Sequence, residues 1–559
     1  MKFRFVTGLV IAVACVTQLL TVMPSGSRLC QGDRCGDYYW GAHEHDGIWH
    51  LALINSTFGQ AKTEFPTMAG EKLRGYNALL DSVLGQVKLL THFEAKTLYF
   101  KVVPLLWLAA MIWVWSRFAK SYRTSRWYQA ALLFFIFFGN SFSYWLRLAH
   151  EGRMDGASGL LSMQSPQMLT NIQFALSLPF LGIMLILMQL AKRKWWQNAV
   201  LAVLPTVMLG LKFYGGVIAM VMVGVFALFE LKKKAWREGL GIIGLAGVMF
   251  IAGMWYFYQP LGQAVNTQIL SWQPLQTMHP IIEEAGLVYW PQIASLRNIL
   301  ANQGIGWRLV LIEVVTFGLF VILNWGTRVI GFYRKQWRTV DGVILSGIVA
   351  GLFLNLGFVQ RGEWWNTVQF LYYATFLTNI WAADVLVTIA GWRKWGVIAA
   401  VAIVALTLPN AIDTVRIFSS YPPQSFVSDE EKKVLAAIAA EPAGTVLALP
   451  LAPKAIPDEG LPWPLYSRFD TAYVAAYTGK TTYLNDLVQL RLTGIDYQER
   501  LAKIMANNCE VLKEVRYVYV AGDQAQIIDW QKCTGVELQS VMAGDDSEYY
   551  RVITETPNQ

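Results

Sequence analysis

The sequence predicts a polytopic α-helical membrane protein of about eleven spans, N-terminus in and C-terminus out, with a small extracytoplasmic α/β domain at its C-terminal end. Three observations predict it: a composition depleted in charge, basic clusters that all fall on one side of the span alternation, and an abrupt change of pattern after residue 411. Of the 559 residues, 55% are apolar and 15% charged, against about 45–50% and about 25% in a soluble globular chain. The 23 Trp, 24 Tyr and 29 Phe add to that surplus. Such a composition excludes a disordered, collagen-like or nucleic-acid-binding chain and makes the bilayer the main solvent. One span could not raise the average over so long a chain.

A span needs about 20 mostly apolar residues. The stretches 4–22, 102–117, 128–146, 172–191, 197–211, 214–230, 238–258, 307–324, 340–358, 366–388 and 395–411 fit that rule. The first follows Met1-Lys2-Phe3-Arg4 and invites comparison with a signal peptide. Its apolar run is long for one, and Met23-Pro24-Ser25-Gly26-Ser27 is a weak cleavage site, so an uncleaved span is expected. The fifth and sixth stretches almost join at Leu211-Lys212-Phe213-Tyr214-Gly215 and read as a tight helical hairpin.

Basic clusters at Lys2/Arg4, Arg117–Arg126, Lys192-Arg193-Lys194, Lys232-Lys233-Lys234, Arg328–Arg338 and Arg393-Lys394 then share one side, the cytoplasm. The net charge of +8 is accordingly a mark of topology. The opposite side receives 23–101, 147–171, 259–306, 359–365 and the tail from 412. Cys15 lies within the first span, whereas Cys30, Cys35, Cys509 and Cys533 fall on the outer side. They are expected as two local disulfides in an oxidising compartment.

Domain organisation follows: a membrane domain over 1–411, which includes the first outer loop 23–101, and an extracytoplasmic domain over 412–559. In that tail Gly444–Leu449 and Val515–Val520 read as strands. Asp429–Ala440 and Tyr497–Ala506 read as helices, the first capped by Ser428 with Glu431 at its third position. The tail carries no nucleophile elbow, phosphate loop or CxxC motif, so the chemistry is expected elsewhere.

The densest chemical stretch is Gly41-Ala42-His43-Glu44-His45-Asp46-Gly47-Ile48-Trp49-His50. It sets three of the six histidines and two carboxylates within eight residues. Ile48, Leu51, Leu53, Ile54 and Phe58 then share one side of a short amphipathic helix expected at the membrane interface. Asp46 stands at its N-terminus, where a carboxylate serves as general base toward a hydroxyl or amine, with His45 and His50 in support. The plainer alternative is a helix cap with solvated histidines. His43, Glu44 and His45 form a loose metal pattern; no cofactor is required, and a divalent metal stays open.

Further outer candidates are Arg153 and Asp155 in the loop after the third stretch. Lys212 and Tyr214 sit at the hairpin turn, suited to a phosphate headgroup, with lysine snorkelling as the alternative. In Gln360-Arg361-Gly362-Glu363-Trp364-Trp365-Asn366, Arg361 beside Glu363 suits a grip on a lipid phosphate; interfacial Trp anchors are the alternative. The loop 259–306 is long enough for a lid or an acceptor groove. Asn55-Ser56-Thr57 matches an N-glycosylation sequon.

With these residues in place, the layout resembles the GT-C superfamily of integral-membrane glycosyltransferases, which includes lipid A aminoarabinose transferases and protein O-mannosyltransferases. The shared parts are a long first outer loop with an acidic residue soon after the first span (Asp46), interfacial helices, a many-span core and an outer C-terminal domain. Asp46-Gly47-Ile48-Trp49-His50, Gly362-Glu363-Trp364-Trp365-Asn366 and Tyr477-Thr478-Gly479-Lys480 are similar to uncharacterised bacterial members. The resemblance implies inverting transfer of a sugar from a polyprenyl-phosphate carrier on the outer face, with Asp46 at the family's base position and Asp155 where some members carry a second acid.

The chain also departs from that pattern. Oligosaccharyltransferases carry Trp-Trp-Asp in the outer domain, whereas Trp364-Trp365 precedes Asn366 between spans. The Asp-Glu pair of O-mannosyltransferases is absent, since Asp46 lies between His45 and Gly47.

The expected protein is thus a multi-pass glycosyltransferase of a bacterial plasma (inner) membrane. Its partners are membrane lipids, a polyprenyl-phosphate-linked sugar donor and a lipid, protein or polysaccharide acceptor, with no nucleic acid. An anionic phosphate leaving group needs Arg or Lys beside it, for which Arg361, Arg153 and Lys212 are the candidates. Rival readings are a transporter or flippase for a lipid-linked saccharide and a non-catalytic cell-envelope scaffold. A transporter places ionisable groups at mid-bilayer on interrupted helices; here span centres are nearly free of charge and polar groups gather at the outer ends.

Overall fold

Apolar runs with no water to satisfy their backbone must form helices, and each of the eleven stretches does so in the computed structural model. It describes residues 2–32, 34–152, 163–259, 270–360, 364–419, 423–449, 461–468, 470–522 and 533–554. Among these, eight helices are long and apolar enough to cross a bilayer: Phe3–Leu20, Ala95–Tyr122, Phe213–Lys232, Trp236–Tyr258, Trp307–Tyr333, Thr339–Gly357, Asn366–Ala390 and Arg393–Phe418. The third stretch is broken, with Arg126–Phe138 and Ser143–His150 meeting at 50°. Ile172–Met188 and Trp195–Leu211 have 17 residues each, about 25 Å at 1.5 Å per residue, short of the roughly 30 Å hydrocarbon layer. The expected eleven full spans thus become eight, a broken pair and two shorter helices that contain Pro179 and Pro205.

The chain divides into two compact units. One comprises Met1–Thr21, Leu106–Met254 and Thr267–Ile417 and holds most of the apolar helices. Several of its buried polar groups bond one another, as low dielectric favours. At the break, the Asn410 amide donates to the Ser141 carbonyl at 3.1 Å and to the hydroxyls of Ser141 and Ser143 at 3.0 and 2.6 Å. Asp341 accepts from the Tyr122 hydroxyl at 2.6 Å and the Trp381 indole at 3.1 Å, and pairs with Arg334 at 2.5 Å.

The other unit comprises Val22–Leu105, Trp255–Asn266 and Phe418–Gln559. The first loop and the tail, separate in the sequence, share a four-stranded sheet here. Ser27–Gln31 pairs antiparallel with Arg34–Tyr39, Cys30 opposite Cys35, and these two are disulfide-bonded. Arg34–Tyr39 pairs antiparallel with tail strand Ser425–Ser428, which runs parallel to Trp463–Pro464. Buried Asp37 ties the segments further: it accepts from Lys96 Nζ at 2.8 Å, Lys432 Nζ at 2.7 Å and the Tyr477 hydroxyl at 3.1 Å.

The second sheet has the order Val446–Ala448, Tyr517–Ala521, Ser547–Thr554, Val536–Ala543. The two expected tail strands lie at Val446–Ala448 and Tyr517–Ala521, and the second expected helix at Gln498–Met505. Helix Asp429–Ala440 starts at the expected cap, the Ser428 hydroxyl accepting from Glu431 N–H at 3.0 Å. Cys509 and Cys533 form the second disulfide.

Candidate functional site

The loop–tail unit builds its polar centre from the stretch after Tyr39. Gly41 adopts φ 53°, and a Cβ there would lie 2.1 Å from the Phe418 ring, so only glycine lets the chain turn. A short 3-10 turn, Gly41–Glu44, leads into helix Asp46–Ala52. Gly47 brings that helix against Phe100, whose ring a Cβ would meet at 2.8 Å. Gly47–Ala52 are buried throughout, and the helix packs on tail helix Tyr473–Thr478. The expected interfacial helix with one wet face is therefore a core helix, since both faces have protein to cover them.

The four residues that open it point to different partners. His43 is buried, its Nδ1 2.8 Å from the Ser25 hydroxyl and its ring edge-on to Phe100. Glu44 pairs with Arg468 at 2.9 Å; burial raises its carboxyl above the usual range, against the pull of Arg468. Arg468 also binds Asp470, at 3.2 Å. His45 Nδ1 lies 3.1 Å from Asp46 Oδ1, and the Asp46 side chain is 42% exposed. On the ring's other side, Nε2 is 3.9 Å from Oδ1 of fully buried Asp486. Burial disfavours charge on His45, but its bond to Asp46 and the charges of Asp46, Asp486 and Asp470 outweigh that and push it up to about 9. At neutral pH it is an imidazolium. Burial pushes Asp486 up to about 6, with His45 opposing.

His50 lies one turn along and faces inward. Its Nδ1 is 3.0 Å from both oxygens of Asp81, and its ring stacks on Tyr99 at 5.5 Å. A nitrogen between two carboxylate oxygens donates. Nε2 then lies 3.3 Å from the Tyr76 hydroxyl. Tyr76 lines a cavity of 630 Å³ with Phe58, Lys72, Ser82, Trp255 and Tyr256.

Of the sequence-derived candidates, Asp46, His45, Glu44, His43 and His50 thus share one neighbourhood. Lys212 and Tyr214 belong to the other unit and are buried: Lys212 joins helices Trp195–Leu211 and Phe213–Lys232, and the Tyr214 hydroxyl bonds the Gln360 amide oxygen at 2.7 Å. Arg153, Asp155, Arg361 and Glu363 lie outside the described residues. The metal pattern His43–Glu44–His45 does not close, because the three side chains diverge; among the described residues no three His, Cys, Asp or Glu groups gather as ligands. In the sequon, Asn55 is held by the Ala476 carbonyl at 2.6 Å and Lys88 at 2.7 Å, with Ser56 and Thr57 buried, a poor acceptor for glycan.

Sequence reasoning missed Asp81, Tyr76, Arg468, Asp470 and Asp486. Each reaches the centre only through tertiary packing, and no local motif marks it.

No protein-family model matches the chain, and no curated protein matches it. Solved structures do. An oligosaccharyltransferase of Archaeoglobus fulgidus, in complex with zinc and sulfate, aligns with a TM-score of 0.50 and 12% identity, over 96% of this chain and 72% of its own. The arabinofuranosyltransferase AftD from mycobacteria gives 0.49 and 14%, over 97% and 39%. ArnT from Cupriavidus metallidurans bound to undecaprenyl phosphate gives 0.46 and 10%, over 97% of each. The first of these likenesses shows a shared fold, in line with the polytopic helical architecture expected from the sequence.

Proposed function

We propose that the chain is a membrane glycosyltransferase that moves a sugar from a polyprenyl-phosphate carrier to an acceptor on the extracytoplasmic face of a bacterial plasma membrane, with inversion. The observation that carries it is Asp46: a 42% exposed carboxylate at the head of a buried helix, beside an imidazolium. Two disulfides in the unit that holds it support an oxidising compartment, and the GT-C-type fold supports a lipid-linked donor.

Asp46 takes the proton of the acceptor hydroxyl as that oxygen bonds to the anomeric carbon. The bond from that carbon to the carrier phosphate breaks, and the phosphate leaves with the electron pair. The leaving phosphate needs a cation beside it, a role assigned to Arg361 or Arg153. His50, locked to Asp81, supports the helix that presents Asp46. Among the described residues the histidines do not fit a metal site.

Purified protein incubated with polyprenyl-phosphate sugars and membrane extract should yield a glycosylated acceptor. Asp46→Asn should lower kcat by about 100-fold or more while native mass spectrometry still finds the carrier bound. A variant that turns over at the wild-type rate would sink the assignment.

A further inference from the structure

The tail contributes a carboxylate for which the chemistry above finds no use. Asp486 is 0% exposed and sits at φ 46°, a left-handed conformation uncommon outside glycine that Asp adopts when local bonds hold it. Two bonds impose it here: the Asn485 side-chain oxygen accepts from Asp486 N–H at 2.8 Å, and Asp486 Oδ1 accepts from Gln489 N–H at 3.2 Å. The carboxylate is thereby aimed at His45, 3.9 Å from Nε2, while Nδ1 of the same ring is 3.1 Å from Asp46. One imidazole stands between a half-exposed and a sealed carboxylate. Among the described residues, His45 Nε2 and Asp486 Oδ2 are both buried without a hydrogen-bond partner, an expensive state, and each side chain offers what the other lacks.

We propose that Asp486 is a positioning residue of the transfer reaction: it orients the His45 ring so that Nδ1–H holds the Asp46 carboxylate in the orientation in which it meets the acceptor. This rests on the transferase reading above. The charges acting on His45 are Asp46, Asp486 and Asp470, with Glu44 adding to them; Glu44 is itself paired with Arg468. An imidazolium whose Nδ1 holds Asp46 at 3.1 Å and whose Nε2 faces the Asp486 carboxylate at 3.9 Å loses a hydrogen bond and a charge contact if it rotates, much as in catalytic triads where a buried Asp orients a His. Asp486 acts through His45 and does not touch the reacting atoms.

Two measurements on the full-length protein test this. Diethyl pyrocarbonate modifies neutral imidazole, and peptide mass mapping reads its rate at His45 without any substrate. Asp486→Asn should raise that rate about tenfold at neutral pH, the change that one pKa unit gives, while Asp486→Glu should stay near wild type. In transfer assays Asp486→Asn should lower kcat about tenfold with KM for the donor unchanged, and Asp486→Glu should restore it.

Equal modification rates in wild type and Asp486→Asn overturn the coupling, whether or not sugar is transferred. A changed rate with wild-type kcat overturns the positioning role. A changed rate in a protein that transfers no sugar upholds the coupling and counts against the transferase reading alone. If Asp486→Asn does not fold, Asn485→Ala removes the bond that sets the Asp486 backbone and should move both readings the same way.

Discussion

Single residues of the loop–tail unit tie its stability to pH. Glu431 is buried, and its carboxylate accepts from the Tyr519 hydroxyl at 2.6 Å. Burial nevertheless dominates and pushes it up from 4.5 to about 7. A folded-state pKa above the unfolded one means that the folded form binds the proton more tightly. The stability it lends is complete below pH 4.5 and is lost as pH rises through about 7. His45, raised from 6.5 to about 9, acts in the same sense at higher pH: its contribution is complete below 6.5 and fades through about 9. Hydrogen exchange in helix Asp429–Ala440 should therefore quicken between pH 5 and 8 beyond the intrinsic increase, and Glu431→Gln should remove the lower part of that slope. A variant as pH-sensitive as wild type would show that another group sets it. None of this was readable beforehand, because Glu431 looks like an ordinary first-turn acid and its burial depends on Tyr519, far along the chain. The closeness of His45 to Asp46, by contrast, is written in adjacent residues.

At the scale of elements, local rules carried far. Ser428 followed by Asp429-Glu430-Glu431 marks a helix start, and the hydroxyl does accept from Glu431 N–H at 3.0 Å. Ser428→Ala should cost the unit about 1 kcal/mol, read as a lowered chemical-denaturation midpoint with unchanged slope; no shift would mean that strand Ser425–Ser428 alone holds the helix in place. Hydropathy located every apolar helix but missed the break between Phe138 and Ser143. Residues 139–143 read Gly-Asn-Ser-Phe-Ser, a short polar interruption that an average over a span's length passes over; at the bend Asn410 donates to the hydroxyls of Ser141 and Ser143. Likewise, periodicity alone placed Ile48, Leu51 and Ile54 on one face of the helix at Asp46. It could not register that tail helix Tyr473–Thr478 would cover the other.

For the whole molecule, the composition change after residue 411 raises the expectation of a new region but carries no sign of what that region pairs with. Strand pairing carries no signature of its partner's distance along the chain: Asp37 faces Val427 in the sheet, and the Asp37 carboxylate is held by Lys432 and Tyr477 of the tail as well as by Lys96. A chain ending at residue 417 therefore keeps Asp46 yet loses the strand that pairs with Arg34–Tyr39, two partners of a buried carboxylate and the helix on which Asp46–Ala52 packs. Asp37 then keeps only Lys96 of the three partners named, and the exposed strand edge adds unpaired backbone. Such a truncation should still insert its apolar helices, while limited proteolysis should cut within residues 23–101, which the full chain protects, and transfer activity should vanish with Asp46 intact. Supplying the tail as a separate polypeptide should restore protection in proportion to its concentration. Full protection of the truncated chain would mean that the first loop folds alone and that the tail serves only the acceptor.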